Sequence, residues 1–296
     1  MDYQIHSTWV KPTYRLTYHD VDEMLTLDIP GEEQVKSLAS LARKREQWRK
    51  NNGSVTIAMP EAIIKVKNEE EVTIELLETS RSRLIVAEMM ILAGEVAGKF
   101  CQLHGIPVAF RGQPQPDLPP DEELLSLPPG PVRSSALRRC MPKSETGLTP
   151  ARHASLGLET YTQVTSPIRR YTDLLAHFQI KAHLRGEELP FSKDKLQEIL
   201  YEVIPTASEA SFVERQTNRY WSLQYFLQNT GEVWQGLILR WLREDEFLAL
   251  ILLEDLGLEF AHRFDRNIKL GDTVLLEVAF CDPQRDEIRF KEVSQN

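Results

Sequence analysis

The stretch "YTQVTSPIRRYTDLLAHF", residues 161–178, carries a strong helix signal. Ser166 is a favourable N-cap residue, and Pro167 suits the first helical position, where an N–H would be unpaired anyway. Four apolar side chains then recur at the spacing of one buried helical face: Ile168, Tyr171, Leu175 and Phe178. The predicted helix has Arg169 and Arg170 in its first turn, where the dipole disfavours a cation by ~0.3–1 kcal/mol. Two arginines at this end of a helix therefore need an explanation.

The composition describes an ordinary globular chain. Its 296 residues allow one large domain or two smaller ones, with 42% hydrophobic and 27% charged residues. The N-terminus lacks the basic segment and apolar run of a signal peptide, and the most apolar stretch, "FLALILLEDLGL", is too short to cross a bilayer. The three cysteines are isolated, so neither a disulfide framework nor a zinc site is expected. We therefore expect a cytoplasmic protein without membrane association.

The charges are unevenly distributed along the chain. The net charge is −9, yet residues 133–185 hold nine Lys/Arg against three acids, a local charge of +6 that leaves −15 elsewhere. A basic zone in an acidic protein favours a confined site for an anion over a broad surface that coats nucleic acid. The alternative is chance clustering on a solvated surface.

Helices and strands alternate over the first 229 residues. The prediction comprises a strand in "YQIHSTWV" (3–10), a helix in "HDVDEMLTL" (19–27), a helix at 33–50, strands in "SVTIAMP", "IIKVKN" and "EVTIELLET" with a turn in "NEEE", a long apolar helix ending at Gly105, a loop with seven prolines at 112–131, and a helix at 208–228. This pattern indicates an α+β fold with long helices.

Residues 232–296 have a different sequence pattern from the helix-rich part before them. Five short strand-like runs are separated by turn residues, which favours a small all-β barrel of the OB type. Such barrels often bind single strands by stacking bases on aromatic rings. Four aromatic residues are candidates for stacking, although buried barrel aromatics have the same sequence pattern: Trp234, Trp241, Phe247 and Phe260.

No self-sufficient catalytic motif is present in the chain. There is no G-x-S-x-G, no H-E-x-x-H and no phosphate-binding glycine loop. The densest group of carboxylates lies in "HDVDEMLTLD": Asp20, Asp22, Glu23 and Asp28. Because Val21, Met24 and Leu25 mark the packed side of this helix, we interpret the acids as a solvated face, with a metal site as the alternative, and no metal ligands are predicted.

The segment "TSPIRRYTDLLAHF" closely resembles the signature of the ribonuclease II family, the RNB domain of hydrolytic 3′→5′ exoribonucleases. Further segments resemble the family in the same order from residue 3 to about 229, including "HSTWVKPTYRLTYHDVDEML" and "LARKREQWRKNNGSVTIAMPE". The helix "SRLIVAEMMILAGEVAGKF" is similar too, with Ala87 and Gly94 in place of the usual Glu and Asn. The resemblance implies part of an RNB-type mixed sheet with long helices over 1–229 and an OB-type RNA-binding barrel over 232–296.

The resemblance also implies roles for single residues. Arg169 matches an arginine that contacts the RNA phosphate at the scissile bond and stabilises the charge developing there; an ion pair with Asp173 is the alternative. Tyr18 matches a tyrosine that stacks near the RNA 3′ end, although a core tyrosine would look the same. Glu214 matches a catalytic glutamate on the helix after the signature. The remaining signature residues are expected to bind RNA: Thr165, Ser166 and Arg170.

Magnesium is the cofactor that the resemblance implies. In the family, an upstream D-x-x-x-x-x-D-x-D-D-A motif holds Mg²⁺ and activates the attacking water, and this motif is absent from the chain. We therefore expect the second part of an RNB domain that binds single-stranded RNA and degrades it only when a metal-binding half, such as a separately encoded N-terminal half, is supplied. The alternative is a non-catalytic RNA-binding or partner-binding remnant, so catalysis by this chain is left open.

Overall fold

The computed structural model describes residues 2–27, 32–68, 70–77 and 79–293, and it has the predicted α+β class. In chain order the described residues form α1 (Tyr18–Leu27), α2 (Glu33–Asn51), β1 (Ala62–Lys67), β2 (Glu71–Leu76), α3 (Arg81–Leu103), β3 (Phe110–Gly112), α4 (Asp121–Ser126), α5 (Pro131–Cys140), β4 (Glu145–Gly147), α6 (Tyr171–Arg185), α7 (Lys193–Gln228), β5 (Val233–Arg243), β6 (Leu248–Leu253), β7 (Leu258–Arg263), β8 (Thr273–Asp282) and β9 (Glu287–Glu292). None of the helices in this part of the chain is long and apolar enough to span a membrane.

The chain divides into two compact units. Unit 1 comprises Met1–Thr56, Thr79–Pro116 and Pro142–Thr206, and unit 2 comprises Ile57–Glu78, Asp117–Met141 and Ala207–Asn296. Each unit thus contains segments that are distant in sequence, and α7 contributes residues to both.

In unit 1, α2 packs on α3 through small residues and buried ion pairs. Ala39 and Ala42 of α2 are buried against the start of α3, where their small side chains allow close approach. Arg45 donates to the buried Glu95 at 2.5 Å, and Arg49 forms a second ion pair with the buried Glu88. Because a buried charge without a partner is costly, these pairs fix one register between the two helices.

A second core in unit 1 joins α3 to α6. Phe100 and Cys101 of α3 pack with Ala176 and Ile180 of α6 and with the apolar segment that follows α3. Burial raises the pKa of the Cys101 thiol to about 12, so this cysteine is a packing residue. This core anchors the helix that follows "TSPIRR".

Unit 2 is built on a five-stranded antiparallel sheet with the order β7-β6-β5-β8-β9. The two edge strands lie close together: the rings of Phe260 on β7 and Phe290 on β9 have centroids 5.3 Å apart. Phe226 of α7 contacts both rings and Trp234 of β5. The sheet therefore curls into a half-barrel around an aromatic core. Trp234 and Phe260 are buried in this core and cannot serve as exposed stacking platforms, whereas Phe247 is 40% exposed.

Most predicted elements are present, and the differences have physical causes. The strands predicted in "YQIHSTWV" and "SVTIAMP" do not form: neither segment is paired with a strand among the described residues, and an alternating segment needs such a partner to form a sheet. The proline-rich loop contains α4 and leads into α5, whose first residue is Pro131. The last long helix begins at Lys193, well before residue 208, and tolerates Pro205 in its interior. Glu69 of the predicted "NEEE" turn lies outside the described residues.

Candidate nucleic-acid interface

The segment of residues 165–170, called here the signature turn, precedes α6 and is not its first turn. The Ser166 carbonyl accepts hydrogen bonds from the N–H groups of Arg169 and Arg170 at 3.2 and 2.9 Å. Helix α6 begins at Tyr171, and Arg170 occupies the N-cap position. The predictions of a helix from Pro167 and of Ser166 as its N-cap are therefore wrong.

The predicted apolar face is also largely wrong. Leu175 is buried, but Ile168 is fully exposed, and Tyr171 and Phe178 are nearly half exposed. Ile168 lies in the signature turn and not in α6, so it does not share the helical spacing of the other three residues. The exposed apolar side chains leave this surface of unit 1 uncovered.

Arg170 has an intramolecular partner. Its guanidinium donates to Asp173 Oδ2 at 2.7 Å and lies 3.3 Å from Thr165 Oγ1. The same carboxylate oxygen accepts the Ser166 N–H at 2.8 Å, and Asp173 is fully buried. As the third residue of α6, a carboxylate also suits the positive end of the helix. Asp173 therefore holds both ends of the signature turn. It pairs with Arg170, so the alternative of an ion pair between Arg169 and Asp173 is not observed.

Arg169 has no such explanation within the chain. Its side chain is exposed, and its guanidinium makes no hydrogen bond or ion pair with any residue that the structure describes. The hydrogen-bonded turn thus presents one guanidinium that has no partner among the described residues, a group suited to bidentate contact with a phosphate or carboxylate.

A close contact with α3 positions the segment that leads into the signature turn. The Thr162 N–H donates to the Gly94 carbonyl at 3.2 Å. A Cβ on Gly94 would lie 2.2 Å from Tyr161 Cε2 and 2.6 Å from the Thr162 carbonyl oxygen, and a Cβ on Gly98 would also crowd Tyr161. Gly94, one of the two departures from the family pattern, therefore provides the space that Tyr161 occupies.

Arg111 is a further candidate site residue that sequence reasoning missed. Its guanidinium donates to Ser144 Oγ at 2.6 and 3.0 Å and to Gln163 Oε1 at 3.3 Å, and its backbone N–H donates to the Tyr161 carbonyl. Burial raises the pKa of Tyr161, although Arg170 and Arg111 act against this shift. Arg111 lies outside the basic stretch 133–185 and in the middle of the short strand β3, so no run of charge in the sequence marks it.

A buried histidine lies against this assembly. The rings of His153 and Tyr161 meet edge to face, with centroids 5.8 Å apart. Burial, followed by the positive charge of Arg111, lowers the pKa of His153 to about 4. His153 is therefore neutral at physiological pH.

The other two predicted site residues lie elsewhere. Tyr18 begins α1, is 42% exposed, and has the Arg83 guanidinium 4.3 Å from its ring centroid. It is therefore neither a core tyrosine nor part of a strand, and among the described residues no hydrogen bond, ion pair or ring contact joins it to the signature turn. Glu214 lies on the exposed part of α7 that belongs to unit 2.

The residues described do not fit a magnesium ion. Asp20 accepts the Thr17 N–H at 2.6 Å, which holds its pKa below the usual range, and Asp22 accepts the N–H and Oγ–H of Ser82 at 2.9 and 2.7 Å. Asp20 thus caps the start of its own helix α1, whereas Asp22 binds the first turn of α3. The prediction of a merely solvated face is therefore wrong for Asp22. Asp28 lies outside the described residues, within which no three His, Cys, Asp or Glu side chains group as a metal site would need.

Comparison with known proteins gives consistent matches. A family model described as the RNB domain matches residues 1–186. The chain is 68% identical over 295 residues to an uncharacterized ribonuclease of Synechocystis sp., covering 100% of this chain and 44% of that protein. It is 37% identical over 300 residues to the chloroplastic/mitochondrial ribonuclease II of Arabidopsis thaliana, covering 99% of this chain and 37% of that protein. The chain thus spans about two fifths of the length of these relatives.

Solved structures share the fold. An active-site mutant of the Dss1 exoribonuclease from Candida glabrata matches with a TM-score of 0.81 at 20% identity, covering 95% of this chain and 38% of that one. RNase R of Mycoplasma genitalium in complex with ribose-methylated single-stranded RNA matches with a TM-score of 0.73 at 17% identity, covering 93% and 53% of the respective chains.

Proposed function

Because the chain belongs to the RNB-domain family of ribonuclease II and R exoribonucleases, we propose that it binds single-stranded RNA and supplies the phosphate-contacting part of a 3′→5′ exoribonuclease. RNase R of M. genitalium, which has the same fold, carries single-stranded RNA in its solved complex. In this proposal Thr165, Ser166 and Arg170 shape the surface that receives the strand, and Tyr18 stacks on a base.

The observation that carries the proposal is the free guanidinium of Arg169. Its neighbour Arg170 is neutralised by Asp173, whereas Arg169 is exposed on a turn whose backbone is fixed from both ends. The planar guanidinium of Arg169 can donate hydrogen bonds to two oxygens of one phosphate and stabilise the negative charge that develops there during cleavage. Glu214 is proposed as a further catalytic residue on the strength of the family resemblance alone.

Hydrolysis needs a group that activates water, and the described residues do not form a site for the metal that the family uses. We therefore propose that catalysis depends on a metal-binding segment supplied in addition, with a separately encoded N-terminal half as the candidate partner. The cytoplasm is the proposed compartment, although the Arabidopsis relative is named as chloroplastic/mitochondrial.

The half-barrel is proposed to be the OB-type RNA-binding module that ends such enzymes. Its five antiparallel strands and partly open form agree with a five-stranded Greek-key barrel. With this assignment, residues 1–229 form the RNB part and residues 232–296 the terminal module.

A binding titration tests the proposed function. Fluorescence anisotropy of a 5′-labelled oligouridylate should report saturable binding by the parent chain and weaker binding by Arg169→Ala. Arg185→Ala, which removes an exposed arginine at the end of α6, is the matched control and should bind like the parent. Equal affinities for all three proteins would reject Arg169 as a phosphate contact, and no binding by the parent would reject the RNA-binding function.

A second candidate function is a non-catalytic RNA-binding or partner-binding protein. The lack of a metal-ligand group among the described residues favours it over an autonomous nuclease. The two functions differ in one result: RNA shortening after addition of the metal-binding half of a close relative supports the first, and stable binding without shortening supports the second.

A further inference from the structure

Unit 2 carries a group of arginines on the sheet face opposite its aromatic core. Helix α5 lies on this face, where Val132 packs against Leu237 and Leu239 of β5. Two arginines occupy the last turn of α5, and a third lies on β5. These three residues, called here the arginine cluster, are Arg138, Arg139 and Arg240.

A β-bulge directs Arg240 towards α5. Along β5, Leu237 and Leu239 belong to the α5 face and Ile238 to the aromatic core, so simple alternation would point the next side chain into the core. The register instead shifts between Ile238 and Arg240, and Arg240 pairs with Leu250, which packs on the α5 side. Since bulges re-aim side chains, this one removes a charge from the core and adds it to the face that already holds two arginines.

The cluster has more positive charge than the chain neutralises. Arg138 donates to Glu259 Oε2 at 2.7 Å, but neither the Arg139 nor the Arg240 side chain makes a hydrogen bond or ion pair with any described residue. Burial lowers the pKa of Arg240, and the charges of Arg139 and Arg138 act in the same direction against the opposing effect of Glu259. The dipole of α5 stabilises Arg138 and Arg139 at its C-terminus, but it gives no reason for Arg240, which comes from a strand. An anion on this face would balance the excess charge.

We propose that Arg139 and Arg240 bind a phosphodiester group of single-stranded RNA on the α5 face of the unit 2 sheet. The proposal rests on the proposed RNA-binding function and adds a second contact for the strand. Guanidinium groups from two rigid elements converge on the phosphate oxygens, while Glu259 holds Arg138 aside. Contacts of this kind position the backbone without reading bases, so affinity should be independent of sequence at this point.

The test compares salt dependence in full-length variants. Anisotropy titrations of a labelled oligouridylate at several salt concentrations are run with the parent, with Arg139→Gln/Arg240→Gln, and with Arg243→Gln/Arg285→Gln. The last variant removes two exposed charges from unit 2, one of them on the same strand, and so matches the change in net charge. The cluster variant should bind several-fold more weakly than this control, and its slope of log K against log salt should fall by about 0.7 for each phosphate that the variant no longer neutralises.

A variant that is expected to bind RNA more tightly controls for misfolding, because a misfolded protein would bind RNA more weakly. Glu259→Gln removes the acid and frees Arg138, so it should bind more tightly than the parent with a steeper salt slope. Equal affinity and slope for the cluster variant and its control, or weaker binding by Glu259→Gln, would overturn the site. If the parent binds RNA and Arg169→Ala weakens that binding, such a result rejects only the arginine cluster; if the parent binds no RNA, the proposed function falls with it.

Discussion

Two adjacent arginines in the signature turn have different physical roles. Arg170 is bound by the buried carboxylate of Asp173, and this pair together with the Ser166 N–H closes the turn. Arg169 extends outward from the same turn, and its side chain has no partner among the described residues. Within the described part of the chain, the positive charge of the turn is thus offset for Arg170 and not for Arg169.

Arg169→Lys should bind single-stranded RNA more weakly than the parent although it keeps the charge. A lysine ammonium is a point charge and cannot contact two phosphate oxygens in a fixed plane. The affinity for oligouridylate at fixed salt measures the effect, with Arg185→Lys as the control. Parent-like affinity of Arg169→Lys, when Arg169→Ala is impaired, would show that charge alone is sufficient.

Asp173→Asn should destabilise the protein by about 2–3 kcal/mol, because it removes a charge-assisted bond to Arg170 and weakens the bond from Ser166. Urea unfolding measures the loss. Asp194→Asn, at the exposed start of α7, is the control and should cost no more than about 1 kcal/mol through the helix dipole. A similar small loss for both variants would mean that Asp173 does not hold the turn.

His153 should make stability depend on pH. Its pKa is about 4 in the folded protein and 6.5 when unperturbed, so between these values the unfolded chain binds a proton that the folded chain does not. The free energy of unfolding should therefore fall as the pH drops from about 6.5 to 4, by up to about 3 kcal/mol in total. Unfolding of the parent and of His153→Gln at several pH values isolates this contribution, since the variant lacks the titration. Parallel pH profiles would contradict the assignment.

At the scale of elements, α3 shows what a periodic pattern can and cannot predict. Its length and its end near Gly105 follow from an apolar run and a terminating glycine, and so does its place in the core. The sequence does not reveal that Gly94 and Gly98 receive the backbone around Tyr161, because a docking partner about 65 residues away leaves no periodic signal. Similarly, all five strands of the half-barrel are predictable from short apolar runs, whereas the bulge that re-aims Arg240 is not.

Gly94→Ala should destabilise unit 1 by about 1–3 kcal/mol, because overpacking against Tyr161 and the Thr162 carbonyl exceeds the ~1 kcal/mol that alanine gains over glycine in a helix. Gly147→Ala is the control, since a Cβ there has no atom within 4 Å. Urea unfolding compares the two variants. A stabilised Gly94→Ala protein would show that the contact with the segment before the signature turn is loose.

At the scale of the whole molecule, the basic zone predicted at residues 133–185 separates into two sets. Arg133, Arg138 and Arg139 belong to unit 2, while the positive residues from Lys143 onward belong to unit 1. The sequence predicts the local excess of charge, but it cannot predict this separation, because segments 57–78 and 117–141 join the C-terminal strands through contacts that are remote in sequence. The fold class and the family signature are therefore accessible from sequence, whereas the partners of single charges are not.

The purified chain with Mg²⁺ should degrade single-stranded RNA at no more than the background rate. In the proposed role Arg169 stabilises charge on a phosphate, but stabilisation alone does not generate a nucleophile. Asp20 and Asp22 of α1 already accept hydrogen bonds from Thr17 and Ser82. Gel analysis of a 5′-labelled oligomer, with and without the metal-binding half of a close relative, measures both parts of the expectation. Addition of that half should restore metal-dependent shortening from the 3′ end in the parent and much less in Arg169→Ala. Processive 3′ shortening by the chain alone, abolished by Asp20→Asn or Asp22→Asn but unaffected by Asp194→Asn, would instead assign the metal to the carboxylates of α1.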